Sequence, residues 1–368
     1  MNRHGGNVHG WVHAAGVPRE DIIDFSASIN PLGTPREVLR AVRARLYDIE
    51  HYPDPDSIEL RNKLSATFGL DPTVILCGNG CTELIYLLPR ALSLRKVLVA
   101  QPTFNEYERA CIGARPDCTV VPYPLRPRDD FDIDPVAVLG EAARVNADAV
   151  FLCNPNNPTG RIVERDTMKE AAAYAADQKT YLIIDESFIE FTTAGSVIGL
   201  TADNPYIIVL RSMTKFYALP GLRLGWGVFP SRAARDLDAI REPWSVNTLA
   251  QAAGVAALSL TAHSERTHAF LAREKKRLER YFETLGIDYI PSRTNYYLLR
   301  SPHSPHIVAG LREQNILIRD CSNFNGLDES YVRVAVRSKR ENDILLERMA
   351  SLLTDPDGPA TGAAGAGE

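Results

Sequence analysis

The chain has 368 residues, room for two or three domains or for two lobes sharing one chain, and its 45% hydrophobic and 24% charged residues are ordinary for a globular protein. A net charge of -5, with lysines and arginines scattered, excludes the basic footprint of a nucleic-acid binder and leaves no run suited to a membrane surface. No apolar stretch approaches the ~18 residues of a membrane span, and the first residues lack the apolar core of a secretory signal, so neither partner nor route is expected.

In chain order, the opening HGGN (4–7) places a histidine, two glycines and an asparagine where a solvated tip is the ordinary reading. Two helical patterns follow, REVLRAVRARL (36–46) and SIELRNKLSATF (57–68), separated by the turn-rich EHYPDPD. From Thr73 to Phe229, short β-branched runs alternate with helical patterns: VILC, KVLVA, TVVPY, DAVFLC, YLIID, YIIVL and RLGWGVF. This alternation predicts an α/β lobe with a central, mainly parallel sheet between helices. A long helical region is expected over about 245–285. Strand patterns in DYIPSRTNYYLLR, NILIRD and YVRVAVR, with helices near 304–314 and 340–353, predict a smaller α+β lobe. The expected division is 1–48, an N-terminal segment packing with the small lobe; 49–262, the large lobe; 263–354, the small lobe; and 355–368, a Gly/Ala/Pro-rich disordered tail. Six dispersed cysteines without a CxxC pair fit reduced thiols in a cytoplasmic protein.

Four stretches carry chemistry. LCGNGCTELIYLL (76–88) reads strand, Gly-x-Gly, helix. Glu83 occupies the third glycine position of a dinucleotide fingerprint, but the N–H groups of Cys81 and Thr82 suit a simpler phosphate cradle. LCNPNNPTG (152–160) is a turn by composition, and it also brings asparagine amides to a strand's carboxyl end, where α/β ligands bind. LIIDESFIEF (182–191) ends a strand with Asp185 and Glu186, which read as metal ligands, solvated caps or a buried carboxylate. A buried Asp185 needs a partner, and the protonated ring nitrogen of a pyridine cofactor is one candidate. RSMTKFYALPGLRLG (211–225) sets Lys215 just past an apolar strand, placed either on an exposed loop or for bonding a carbonyl cofactor. Its SxxK lacks the S-D-N and K-T-G partners of penicillin-binding serine enzymes. The spacing of His4, His9 and His13 fits no metal-ligand pattern, and no metal is expected.

In this order, GNGCTELI, PTFNEY, NPNNPTG, DESFIEF and SMTKFYALPGLRLG resemble the fold-type-I pyridoxal-phosphate enzymes of the aminotransferase class I/II group, over nearly the whole chain except the tail. The resemblance implies pyridoxal 5'-phosphate as cofactor, with Lys215 bonded to its aldehyde and Asp185 paired with its ring nitrogen. It implies Asn157 on the ring hydroxyl and facing the substrate, and Phe104 stacked on the ring. The phosphate would be held by Cys81, Thr82, Ser212 and Arg223. Tyr52 resembles the tyrosine that reaches a neighbouring subunit's cofactor phosphate, which implies a homodimer with shared sites. Arg333 matches the arginine that binds the substrate α-carboxylate.

Two branches of this group take phosphorylated substrates: histidinol-phosphate aminotransferases, and a decarboxylase branch of cobalamin biosynthesis that acts on phosphothreonine. HGGN followed by IIDFSASINPLG, DESF with Phe188 where the aminotransferases usually carry tyrosine, and EPWSVN (242–247) are similar to the decarboxylase branch. That similarity implies His4, Gly5 and Arg319 at the substrate phosphate. Ser28 stands where the branch has a substrate-touching asparagine. The implied activity is decarboxylation of L-threonine O-3-phosphate to (R)-1-amino-2-propanol O-2-phosphate. The alternatives are a histidinol-phosphate-type aminotransferase and a decarboxylase of another phospho- or phosphono-amino acid. A non-catalytic cofactor-binding module fits poorly with a full catalytic set.

Overall fold

Strands buried on both faces carry continuous apolar runs rather than alternating ones. The structure, a computed structural model, describes residues 4–354; the tail expected over 355–368 lies outside them. Helix α1 (Val8–Ala15) and strand β1 (Ile23–Asp24) come first, then α2 (Arg36–Ala44) and α3 (Ile58–Phe68). The seven runs between 74 and 229 become β2 (Ile75–Asn79), β3 (Lys96–Gln101), β4 (Thr119–Pro124), β5 (Ala149–Cys153), β6 (Tyr181–Asp185), β7 (Ile207–Ser212) and β8 (Leu224–Val228). Helices α4 (Cys81–Ala91), α5 (Glu106–Ala114), α6 (Pro135–Arg144) and α7 (Arg165–Gln178) join the first five of these in turn. After β8 come α8 (Ser231–Asp238), α9 (Thr248–Ala257) and α10 (Thr261–Thr284). The single helical region expected over about 245–285 is therefore two helices, broken at Leu258–Leu260. The chain ends with β9 (Asp288–Tyr289), β10 (Tyr296–Arg300), α11 (Ser304–Glu313), β11 (Ile316–Leu317), β12 (Arg319–Asp320), β13 (Tyr331–Ala335) and α12 (Lys339–Thr354).

The large sheet has the order β2-β8-β7-β6-β5-β3-β4, and only β8 runs against the rest. Its side chains alternate between two cores. Val150, Leu152 and Ile184 face one side with Trp226; Phe151, Ile183 and Ile208 face the other with Leu84 and Leu88 of α4. The second sheet, β12-β13-β10-β9, packs on α10, α11 and α12 through a separate core that includes Leu278, Tyr297 and Leu345.

The N-terminal segment touches both parts. Strand β1 pairs in parallel with β11, and the Trp11 indole of α1 donates to Asn315 Oδ1 (3.1 Å). Helix α2 instead packs on α9. Helix α1 has a local cause that the solvated-tip reading passes over: the Asn7 side chain accepts from Gly10 N (3.0 Å), and Gly16 closes the helix at a φ of 66°.

Close packing of β8 under α4 sets the position of the site. A Cβ on Gly225 would lie 2.1 Å from the Cys81 nitrogen and 2.6 Å from Cys81 Cα. Gly225→Ala should therefore push the start of α4 away, costing about 1–3 kcal/mol of stability and weakening cofactor retention. Urea unfolding checks this, and a loss below about 0.5 kcal/mol would contradict it.

Candidate active site

A parallel sheet gathers the ends of its strands at one edge, and there the backbone leaves room for a ligand. Strands β5, β6 and β7 end at that edge with Cys153, Asp185 and Ser212, with Cys153 opposite Asp185 in register. Because β8 runs the other way, its start lies at the same edge, with Leu224 beside Asn79 and Gly225 beside Ser212. Arg223, immediately before β8, is thereby carried to the start of α4. A cavity of about 400 Å³ opens there.

Every site residue expected from the sequence lines this cavity except Tyr52. Cys81, Thr82, Phe104, Asn157, Asp185, Ser212, Lys215 and Arg223 are joined by His4, Gly5, Ser28, Arg319 and Arg333. Tyr52 lies elsewhere, 82% exposed, with its ring 4.9 Å from that of Trp244. The two acids of DESF part company. Asp185 faces the cavity; Glu186 turns away to meet Arg211 (3.3 Å), whose other arm reaches Glu190 (2.7 Å). That buried ion pair binds β7 to the loop after β6, so the segments carrying Lys215 and Asp185 are tied together.

The start of α4 forms an anion cradle. Gly80 has a φ of 77°, and a Cβ there would sit 2.2 Å from Arg223 Nη2. Arg223 itself holds a left-handed φ of 58°, uncommon for a non-glycine residue, so its guanidinium lies over Gly80. The hydroxyls of Ser212 and Thr214 are 2.7 Å apart on the cavity wall. Glu83, which spoils the dinucleotide fingerprint, accepts from Asn79 N (2.5 Å) and from the Ser245 hydroxyl (3.0 Å), and so braces this turn against the EPWSVN stretch.

Asp185 is 3% exposed. Its two oxygens accept from the Tyr107 hydroxyl (2.7 Å) and from Ser187 N (2.9 Å). Burial raises its pKa, while those two partners and the Lys215 charge oppose the rise. Lys215 is its counterpart: burial lowers its ammonium pKa to about 8, helped by the Arg333 and Arg223 charges and opposed by Asp185. Asn30 anchors the Lys215 loop. Its backbone N–H donates to the Lys215 carbonyl (3.0 Å), and its amide donates to the Phe216 carbonyl (2.8 Å) and the Thr267 hydroxyl (2.9 Å).

Arg333 donates through Nη2 to the Ser26 carbonyl (2.8 Å) and through Nη1 to Asn157 Oδ1. These bonds aim the guanidinium into the cavity. Ser28 is 2% exposed, and its hydroxyl has no hydrogen-bond partner among the described residues although it lines the cavity. Phe188 puts only carbon at its position, edge-on to Tyr296.

Tyr107, Ser187, Asn30, Ser26 and Glu106 are functional neighbours that the sequence reading did not single out. Tyr107 stands three residues after Phe104 in the quoted PTFNEY, and Asn30 in SASINPLG. Their partners lie far along the chain, so no local pattern marks them.

The family model described as "Aminotransferase class I and II" matches residues 20–349. The chain belongs to this family. The sheet order and its flanking helices are those of the family's fold-type-I architecture, and its cofactor is pyridoxal 5'-phosphate. Threonine-phosphate decarboxylase of Salmonella typhimurium is 40% identical over 355 residues, covering 95% of this chain and 96% of that protein. The crystal structure of L-threonine-O-3-phosphate decarboxylase from Porphyromonas gingivalis matches at a TM-score of 0.81 and 30% identity, over 90% of this chain and 100% of that one. Histidinol-phosphate aminotransferase from Clostridium acetobutylicum matches at 0.84 and 29% identity, over 91% and 100%.

The residues present fit the family's cofactor. The side-chain-free space at Gly80 under Arg223 suits a phosphate, the buried carboxylate suits a ring cation, and the low-pKa amine suits an aldehyde. The neutral amine is the nucleophile, so the rate at which cofactor-free protein combines with pyridoxal 5'-phosphate should rise with pH and level off above about 8. Asp185→Asn removes the charge that holds the proton on Lys215 and should move that midpoint lower. Stopped-flow absorbance checks both; a rate still climbing towards about pH 10, as for an ordinary lysine, would contradict the assignment.

Proposed function

We propose that the protein is a pyridoxal-phosphate-dependent decarboxylase of L-threonine O-3-phosphate that yields (R)-1-amino-2-propanol O-2-phosphate for cobalamin biosynthesis. The observation that carries this reading is the pairing of two cationic sites in one cavity. Arg333 stands beside Lys215 and Asn157, and His4 and Arg319 line the same cavity, with Arg319 opposite Arg333 across β12 and β13. Such a set of cations answers a substrate that carries both a carboxylate and a phosphate. The 40% identity to a threonine-phosphate decarboxylase over nearly the full length supports the same reading.

When bound, the cofactor supplies an electron sink for the pair left at the substrate's α-carbon. The residues of this chain select which bond yields that pair. Asp185, oriented by Tyr107 and Ser187, holds a proton at the ring nitrogen. Asn157 and Phe104 fix the ring's tilt, and Cys81, Thr82, Ser212 and Arg223 hold the cofactor phosphate. Arg333 binds the α-carboxylate. His4, Gly5 and Arg319 grip the substrate phosphate, and this remote binding orients the carboxylate for departure. Lys215, whose ammonium burial brings down to a pKa of about 8, is both charged enough to hold a proton near neutrality and acidic enough to return it to the α-carbon. Ser28 offers its free hydroxyl to the substrate. Phe188 brings no hydroxyl into the polar shell.

A homodimer with shared sites is part of the proposal. Tyr47, Ile49 and Tyr52 are 84%, 66% and 82% exposed in the single chain, and Tyr52 packs on the half-exposed Trp244. A contiguous run of this kind suits burial against a second copy, with Tyr52 reaching that copy's cofactor phosphate. Within each chain, residues 49–262 serve as the cofactor lobe, with 4–48 and 263–354 closing the substrate end. A cytoplasmic setting accords with six free cysteines, all buried.

Holoenzyme given phosphothreonine should release carbon dioxide with no keto acid present, and Lys215→Ala should lower the rate by at least about 10³-fold. Gas release and product chromatography check this. Turnover that requires 2-oxoglutarate and forms glutamate would assign the protein to the aminotransferase alternative.

A further inference from the structure

Glu106 opens α5 on the wall of the cavity, yet it is only 6% exposed. Groups from three parts of the chain converge on it. The Tyr86 hydroxyl of α4 donates to Oε2 at 2.5 Å. Arg109, one turn along α5, donates to Oε1 at 2.5 Å. His4 Nε2 lies 2.8 Å from the same Oε1. A carboxylate beside a phosphate-binding mouth opposes the ligand by simple repulsion, so its presence there calls for a reason.

The geometry supplies one. A ring nitrogen 2.8 Å from a carboxylate oxygen must carry a proton, which makes Nε2 the donor and leaves Nδ1 as the nitrogen available to a ligand. In the neutral ring Nδ1 is an acceptor, and a phosphate oxygen has nothing to donate to it. In the imidazolium Nδ1 is a donor. We propose that Glu106 is the positioning residue for phosphate recognition: it fixes the His4 tautomer and sustains the imidazolium, so that binding a phosphate takes up one proton from solvent at His4 Nδ1. This rests on the reading above that His4 meets the substrate phosphate.

The groups that face His4 are Glu106 and Arg109 from α5, Arg319 from β12, and the Phe104 ring with its centroid 6.0 Å away. Burial lowers the His4 pKa below its ordinary value; Glu106 opposes that, and the charges of Arg319 and Arg109 add to it. Before a ligand arrives this balance favours the neutral ring over the charged one. The incoming anion adds to the field of Glu106 and tips the ring to its charged form. Arg109 cancels the repulsion between Glu106 and the ligand, which explains why an arginine and a histidine share one carboxylate oxygen.

Holoenzyme labelled with ¹⁵N in its histidine rings reads tautomer and midpoint directly, with His4→Gln assigning the signal and inorganic sulfate as the probe, since its charge is constant near neutrality. The expected result is an Nε2–H tautomer whose titration midpoint rises by about one pH unit or more on saturation with sulfate. In Glu106→Gln the midpoint should fall by about one unit with and without sulfate, and sulfate should bind correspondingly more weakly. An Nδ1–H tautomer in the wild-type protein, or a Glu106→Gln protein with wild-type midpoints, would overturn the proposal. If Glu106→Gln does not fold, the wild-type tautomer and its sulfate response still decide. A His4 signal with the Glu106 effect intact but indifferent to sulfate would sink the placing of His4 at the phosphate, and the proposal with it.

Discussion

A carboxylate and an amine are buried in the same cavity, and most of the architecture serves to keep them there. Desolvation alone makes either charge costly. Asp185 is tolerated because Tyr107 and Ser187 donate to it, and Lys215 because its pKa is lowered to about 8. Neither side chain is placed by its own element alone. The reversed strand β8 brings Arg223 to the cofactor end, the Arg211 ion pairs tie the two segments together, and Asn30 ties the Lys215 loop to the N-terminal segment.

The same cavity is graded in charge. At the cofactor end, backbone N–H groups and Arg223 favour one phosphate. On the same lining, Arg333 beside Asn157 suits a carboxylate, and His4 and Arg319 suit a second phosphate, with the Glu106 carboxylate against His4. In the proposed function the substrate's carboxylate meets Arg333 and its phosphate meets His4 and Arg319. Under the proposed function, binding energy from the phosphate is used for orientation at the reacting bond.

The elements that rest on periodicity were legible. All seven strands of the large sheet follow apolar or β-branched runs in the sequence, six because they are largely buried and β4 as the half-exposed edge strand. Site residues inside ordered motifs, such as Asn157 and Arg223, were legible through resemblance. Helix α1 was not, because its eight residues bury no side chain and its signals are only an asparagine cap and a closing glycine. Tyr107, Asn30 and Glu106 were not, because their roles depend on partners 78, 186 and 102 positions away, by Tyr107–Asp185, Asn30–Phe216 and Glu106–His4. Tyr52 is a different case: a single chain leaves it outside the cavity, and its role waits on the second copy.

The account turns on which lysine holds the cofactor. Reducing the holoenzyme with borohydride, digesting it and sequencing the pyridoxyl-bearing peptide by mass spectrometry tests this directly. The modification should fall on Lys215 alone and be absent from Lys215→Ala protein treated in the same way. A pyridoxyl group on any other lysine of a fully active preparation would contradict it.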